Sequence, residues 1–115
     1  NARIASMMLA LEPVLIKERP DVMMVVGDVD STLAAALTAN KVGIALAHLE
    51  SGLRSRDRGM PEEFNRIVTD RLGDHLFVTE PSGRENLIAE GTSADSIHLV
   101  GNTMIDSLVV YDDMV

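Results

Sequence analysis

Four short apolar runs, at residues 22–26, 44–49, 76–78 and 97–100, alternate with stretches of helical spacing, and that alternation leaves few folds open. The runs are continuous rather than period-two, as expected for strands covered on both faces. Ile4, Met7, Met8, Leu11, Val14 and Leu15 recur at helical spacing before the first run. Pro13 is expected to kink or weaken that helix, and Pro20-Asp21 to end it. Asp30-Ser31-Thr32 offers N-caps for an alanine-rich helix over 33–39. Pro61 suits the first turn of a third helix, with Phe64, Ile67, Val68 and Leu72 as its buried stripe. Ser82 and Glu85 have capping-box spacing for a fourth helix that Gly91 ends. Gly101-Asn102-Thr103 leads into a last helix through Met104, Ile105, Leu108 and Val109. Strand and helix joined by short connections require right-handed crossovers. The predicted fold is α/β: a parallel sheet of about four strands with helices on both faces, roughly half of a doubly wound domain.

Composition narrows the function classes. Aromatics are only 3% of the 115 residues, so the core must be built from Val, Leu, Ile, Met and Ala. There is no cysteine, which removes disulfides and thiolate metal sites. A net charge of −8 argues against nucleic acid or an anionic membrane as partner. No apolar run approaches the roughly 20 residues of a membrane span, no secretory-type leader is visible, and a cytoplasmic setting is expected. The chain opens on Asn1 inside one helical pattern and stops at Val115 in another, so it reads as a piece of a longer protein.

In open α/β sheets ligands bind beyond the carboxyl ends of the strands. Topology places Asp28, Glu50, Thr79-Glu80 and Gly101-Asn102 on that edge. Asp28 taken alone reads first as a turn or capping acid, helped by Asp30 and Ser31, and second as a crevice carboxylate. Glu50, between Leu49 and Ser51-Gly52, is a poor turn former and costly to bury unpaired. It serves either a ligand or a salt bridge to Arg54 or Arg58. Glu62 and Glu63 suit a helix N-terminus, while Glu62, Asn65 and Arg66 share a polar face suited to a sugar phosphate. His48 shares a sheet face with Glu50 and is either a substrate-contacting, Glu50-orienting group or a satisfied buried histidine. His75 and His98 stand toward the remote edge and read as structural or exposed. Three carboxylates in one crevice need arginines, substrate hydroxyls or a shared proton, an arrangement that supports acid–base work. Arg54, Arg58 and Arg66 can offset phosphate charge. No zinc spacing, GxGxxG or Walker loop is present, so no metal is expected.

Together these motifs are specific. The run GDVDSTLAAALTANKVGIALAHLESGLRSRDRGMPEEFNRIVTDRLGDHLFVTEPSGRENL, followed by HLVGNTMID, resembles the non-hydrolysing UDP-N-acetylglucosamine 2-epimerases, most strongly over 25–106. GD-x-x-ST, H-x-E-x-GLR, MPEE-x-NR and GN-x-x-ID occur in family order. The resemblance implies two Rossmann-like domains facing a cleft, in a glycosyltransferase-B-like fold. This chain corresponds to the second part of the first domain. The opening strands and phosphate loop would precede Asn1; the second domain and the family's catalytic histidine would follow Val115. The implied reaction inverts C2 of a UDP-sugar: UDP leaves C1 as the C2 proton is removed, and re-adds to the 2-acetamidoglucal after reprotonation on the other face. No cofactor is implied. Matched residue by residue, Asp28, Glu50 and Glu62 are the acid–base candidates and Arg66 contacts substrate. Asp30 stands where relatives often carry Asn or Thr, an added acid that would act on Asp28 or on substrate preference. A homodimeric full-length enzyme of cell-envelope polysaccharide synthesis is implied. The 115 residues alone are expected to be inactive, because one acidic wall lacks a phosphate loop. The alternatives are a relative acting on another UDP-sugar, such as a diacetamido uronic acid, a hydrolysing epimerase, or a non-enzymatic receiver-like module. The last wants a lysine after its final strand, where this chain has Gly101-Asn102.

Overall fold

Among the described residues, each apolar run becomes a strand and each helical stretch a helix. The computed structural model describes residues 2–57 and 59–100. The order is α1 (Ala2–Glu18), β1 (Val22–Val26), α2 (Asp30–Val42), β2 (Ala45–Leu49), α3 (Pro61–Leu72), β3 (His75–Val78), α4 (Pro81–Ala89), a 3-10 turn (Ala94–Ser96) and β4 (Ile97–Leu99). The strands form one parallel sheet in the order β1-β2-β3-β4. Arg58, the segment Gly101-Asn102-Thr103 and the expected last helix lie outside the described residues.

Right-handed crossovers between strands taken in sequence put the connecting helices on one side. Leu15 of α1 and Ala36 and Ala39 of α2 pack with Val25 and Leu46. Leu87 of α4 packs with Leu76, Val78 and Ile97. The register pairs Val25 with His48, His48 with Leu76, and Leu76 with Ile97, so these clusters occupy one sheet face. On the opposite face Val22, Met24 and Val26 are 46%, 56% and 38% exposed. β1 was expected to be covered on both faces; the described residues cover one. Phe77 and His98 stack there with ring centroids 5.2 Å apart, and His75 and His98 are exposed, as the sequence implied.

α1 continues past Pro13, which does not end it. Leu9, whose carbonyl loses its donor, is 72% exposed, where water can serve it. Two local expectations are corrected. The caps differ: Val29 and Glu80 precede α2 and α4 without side-chain cap bonds. Thr32 Oγ1 donates instead to the Val26 carbonyl at 2.8 Å, tying the start of α2 to the end of β1. The second correction bears on function. Of the stripe expected to be buried on α3, Leu72 packs half-buried against the core, Ile67 and Val68 are half-buried, and Phe64 is 55% exposed. The buried residues of α3 are Glu63, Asn65, Thr69 and Asp70. Glu63 and Asp70 accept from backbone amides of the irregular β2–α3 crossing, which need acceptors, and Asn65 donates to Asp28 and Asp30.

Candidate active site

The pairing of Val26 with Leu49 brings the ends of β1 and β2 level, so the residues that follow share one edge of the sheet. Asp28 lies just past β1 and Glu50 just past β2. Glu50 is half-buried and has φ +63°, the left-handed region that non-glycine residues avoid. Holding it there costs about 1–2 kcal/mol, which surrounding structure must supply. Its Oε2 lies 3.6 Å from the point a β-carbon on Gly27 would occupy, so Glu50 folds back over the end of β1.

The carboxylate of Asp28 pairs with Arg66 at 2.6 Å. Asn65 Nδ2 donates to the Asp28 carbonyl at 3.0 Å and to Asp30 Oδ1 at 3.2 Å, so the extra acid at 30 is engaged by α3. Glu62, exposed in the first turn of α3, lines an open cavity of about 500 Å³ with Asp28, Asp30, Asn65 and Arg3. A second, of about 470 Å³, is lined by Arg54, Arg56, Arg66, Glu80, Ser82 and Asn86. Arg66 joins the two: it lines the basic recess and holds Asp28 of the acidic one. Asp28, Glu50 and Glu62 thus stand around one sheet edge with guanidiniums beside them, a surface that can hold an anion next to groups able to move a proton.

His48 does not reach that surface. It is fully buried beneath it. Its Nε2 donates to the Gly27 carbonyl at 2.7 Å, and its Nδ1 lies 2.6 Å from Asp70 Oδ1. With both ring nitrogens engaged, no atom remains for a substrate, and the expected substrate contact is replaced by a structural one. Asp70 Oδ2 also accepts from the Gly52 amide and from Arg54 Nη1, each at 2.9 Å. Arg54 in turn makes a bidentate pair with Glu90, at 2.8 and 2.6 Å. The salt bridge considered for Glu50 with Arg54 is therefore not formed; Arg54 belongs to Asp70 and Glu90.

Glu63, which resembled an ordinary first-turn acid, is 2% exposed. Its two oxygens accept from the backbone amides of Ser55 and Arg56, both at 2.9 Å, pinning the crossing. Burial disfavours its charge, but these amide bonds and Arg66 outweigh it and hold its pKa below the usual 4.5. A depressed carboxylate stabilises the fold above its unfolded pKa, and the contribution is lost as pH falls through the lower folded value. Glu63→Gln in the full-length protein is thus expected to cost about 1–2 kcal/mol at neutral pH. The difference from wild type should shrink below pH 4.5 as the wild-type carboxyl protonates, measured by denaturant unfolding across pH. A cost that stays constant with pH would remove the carboxylate's charge from the account. Glu63, Arg66 and Asp70 recur at i, i+3 and i+7, a polar helical stripe that was the available signal for this network.

Among the described residues no cluster of His, Cys, Asp or Glu is placed to hold a metal, and no helix is long and apolar enough to cross a membrane. The sequence profile described as UDP-N-acetylglucosamine 2-epimerase matches residues 1–115. The chain is 47% identical over 103 residues to a UDP-N-acetylglucosamine 2-epimerase of Methanococcus maripaludis, covering 90% of this chain and 28% of that protein. It is 44% identical over 107 residues to a UDP-2,3-diacetamido-2,3-dideoxy-D-glucuronate 2-epimerase of Pseudomonas aeruginosa, covering 91% of this chain and 30% of that protein. The fold superposes with a TM-score of 0.88 at 45% identity on the Methanocaldococcus jannaschii UDP-GlcNAc 2-epimerase crystallised with UDP-GlcNAc and UDP, covering 92% of this chain and 29% of that one. The chain therefore spans under a third of the length of these relatives. A profile match along the whole chain, together with a shared parallel fold, shows that it belongs to the UDP-N-acetylglucosamine 2-epimerase family.

Proposed function

We propose that the full-length protein bearing this chain interconverts UDP-N-acetylglucosamine and UDP-N-acetylmannosamine by elimination and re-addition of UDP. One observation carries the reading. Asp28 and Glu62 line one cavity at the carboxyl edge of the sheet, Glu50 follows β2 on the same edge and folds back over Gly27, and Arg66 bridges Asp28 to a basic recess. The three acids sit in different surroundings. Asp28 is against a guanidinium, Glu50 is half-buried over Gly27, and Glu62 is exposed. Different surroundings separate acid and base roles among like groups. One carboxylate takes the proton from C2 as the C1–O bond to UDP breaks, leaving a 2-acetamidoglucal and free UDP. Protonation of C2 on the other face and return of UDP to C1 complete the inversion, with no net oxidation and no cofactor. Arg66 and Arg56 of the second recess offset the growing charge on the departing diphosphate.

On this reading residues 1–115 form the later part of an N-terminal Rossmann-like domain, with earlier strands and a second domain elsewhere in a cytoplasmic homodimer. The test is to incubate the full-length protein with UDP-N-acetylglucosamine in deuterated water and follow C2 by NMR. Deuterium at C2 and a growing manno-configured nucleotide are expected; unchanged C2 would overturn the reading. The relative named for a diacetamido uronic acid makes that UDP-sugar the second substrate to assay.

A further inference from the structure

The acid–base reading uses three carboxylates at the surface, but a fourth lies under them. Asp70 is 3% exposed. Its Oδ2 accepts from the amide of Gly52, and its Oδ1 faces His48 Nδ1. His48 and Gly52 stand two residues before and two residues after Glu50. The far side of the His48 ring donates to the carbonyl of Gly27, the residue before Asp28. One buried carboxylate thus grips the chain on both sides of Glu50 and, through a single imidazole, the peptide that delivers Asp28.

We infer that Asp70 is a positioning residue. It holds Glu50 in its left-handed conformation and sets Glu50 and Asp28 relative to each other, without touching substrate. The inference rests on the proposed role of Glu50 in proton transfer at C2. Two observations favour positioning over simple stabilisation. A buried ionic group contributes little stability compared with well-packed apolar residues, and the neighbouring helix α2 seals its own contact with the sheet using Ala36 and Ala39. Also, a non-glycine residue at φ +63° persists only where its surroundings over-determine it. The contacts that do so here include the Gly52 amide on Asp70 and the Ser51 hydroxyl, which donates to the His48 carbonyl at 2.6 Å, beside the Ser51 amide on the Phe77 carbonyl and Asn86 on the Gly52 carbonyl.

The test is a double-mutant cycle in the full-length protein, with Asp70→Asn, Glu50→Gln and the pair, followed by kcat, KM and deuterium entry at C2. Asp70→Asn is expected to lower kcat ~10- to 100-fold with KM nearly unchanged, the scale of a misplaced catalytic group. In the Glu50→Gln background the same change should cost clearly less than in wild type, because only the placing of Asp28 through His48 and Gly27 is left to lose. Wild-type kcat in Asp70→Asn, or an equal loss in both backgrounds, overturns the inference. If circular dichroism shows Asp70→Asn unfolded, His48→Gln takes its place in the cycle under the same criteria. Failure of the functional reading looks different: the wild-type protein itself then leaves C2 unexchanged, and the inference falls with it.

Discussion

Gly52→Ala is expected to destabilise the full-length protein by about 2–5 kcal/mol, summing the cost of a left-handed alanine with that of overpacking. Gly52 has φ +80°, and a β-carbon there would lie 2.4 Å from the carbonyl oxygen of Gly83 and 2.8 Å from its Cα. The obstacle is backbone, not the end of a flexible side chain. Gly83 has no room to retreat, because a β-carbon on it would already meet the Ser51 carbonyl at 3.2 Å and Val78 at 3.3 Å. Relief requires moving α4 or the crossing, and Asn86 joins the two by donating to the Gly52 carbonyl at 2.8 Å. Gly43→Ala is the control. It has the same kind of backbone, φ +87°, with nothing within 4 Å of the added carbon. It should cost only about 1–2 kcal/mol. Denaturant unfolding of both variants isolates the clash. Equal losses would show that the crossing and α4 do not meet as described.

The second large effect is on turnover. Asp28→Asn, Glu50→Gln and Glu62→Gln should each lower kcat ~10²-fold or more, the scale of a lost acid–base group. Each substitution keeps the shape of the side chain and removes the carboxylate. Glu62 is exposed, so its change should leave the unfolding midpoint near wild type while turnover falls. Asp28→Asn also loosens Arg66, now 2.6 Å from it, and should raise KM together with its effect on kcat. Near-normal turnover in all three would exclude these acids from the chemistry. Thermal unfolding of each variant separates lost chemistry from lost fold.

The strands, their parallel direction and the shared edge of Asp28 and Glu50 were legible from the amino acids; the sequential strand order was not. Apolar runs and short connections are local properties, and crossover handedness converts them into topology without long-range information. The family motifs then carried the identity of the fold. The interior of α3 was not legible. Phe64, Ile67 and Val68 were the obvious buried side of an isolated amphipathic helix, yet Glu63, Asn65, Thr69 and Asp70 are the ones inside. Which side of a helix is buried depends on what it packs against, and α3 packs against a crossing whose amides at Gly52, Ser55 and Arg56 require acceptors. No periodicity within α3 reveals that demand, because the demand belongs to residues up to 18 positions away. Which of the two readings of His48 holds, substrate contact or buried structural group, was not legible for the same reason. Its partners, Gly27 and Asp70, come from separate elements that meet only once the sheet and α3 are assembled.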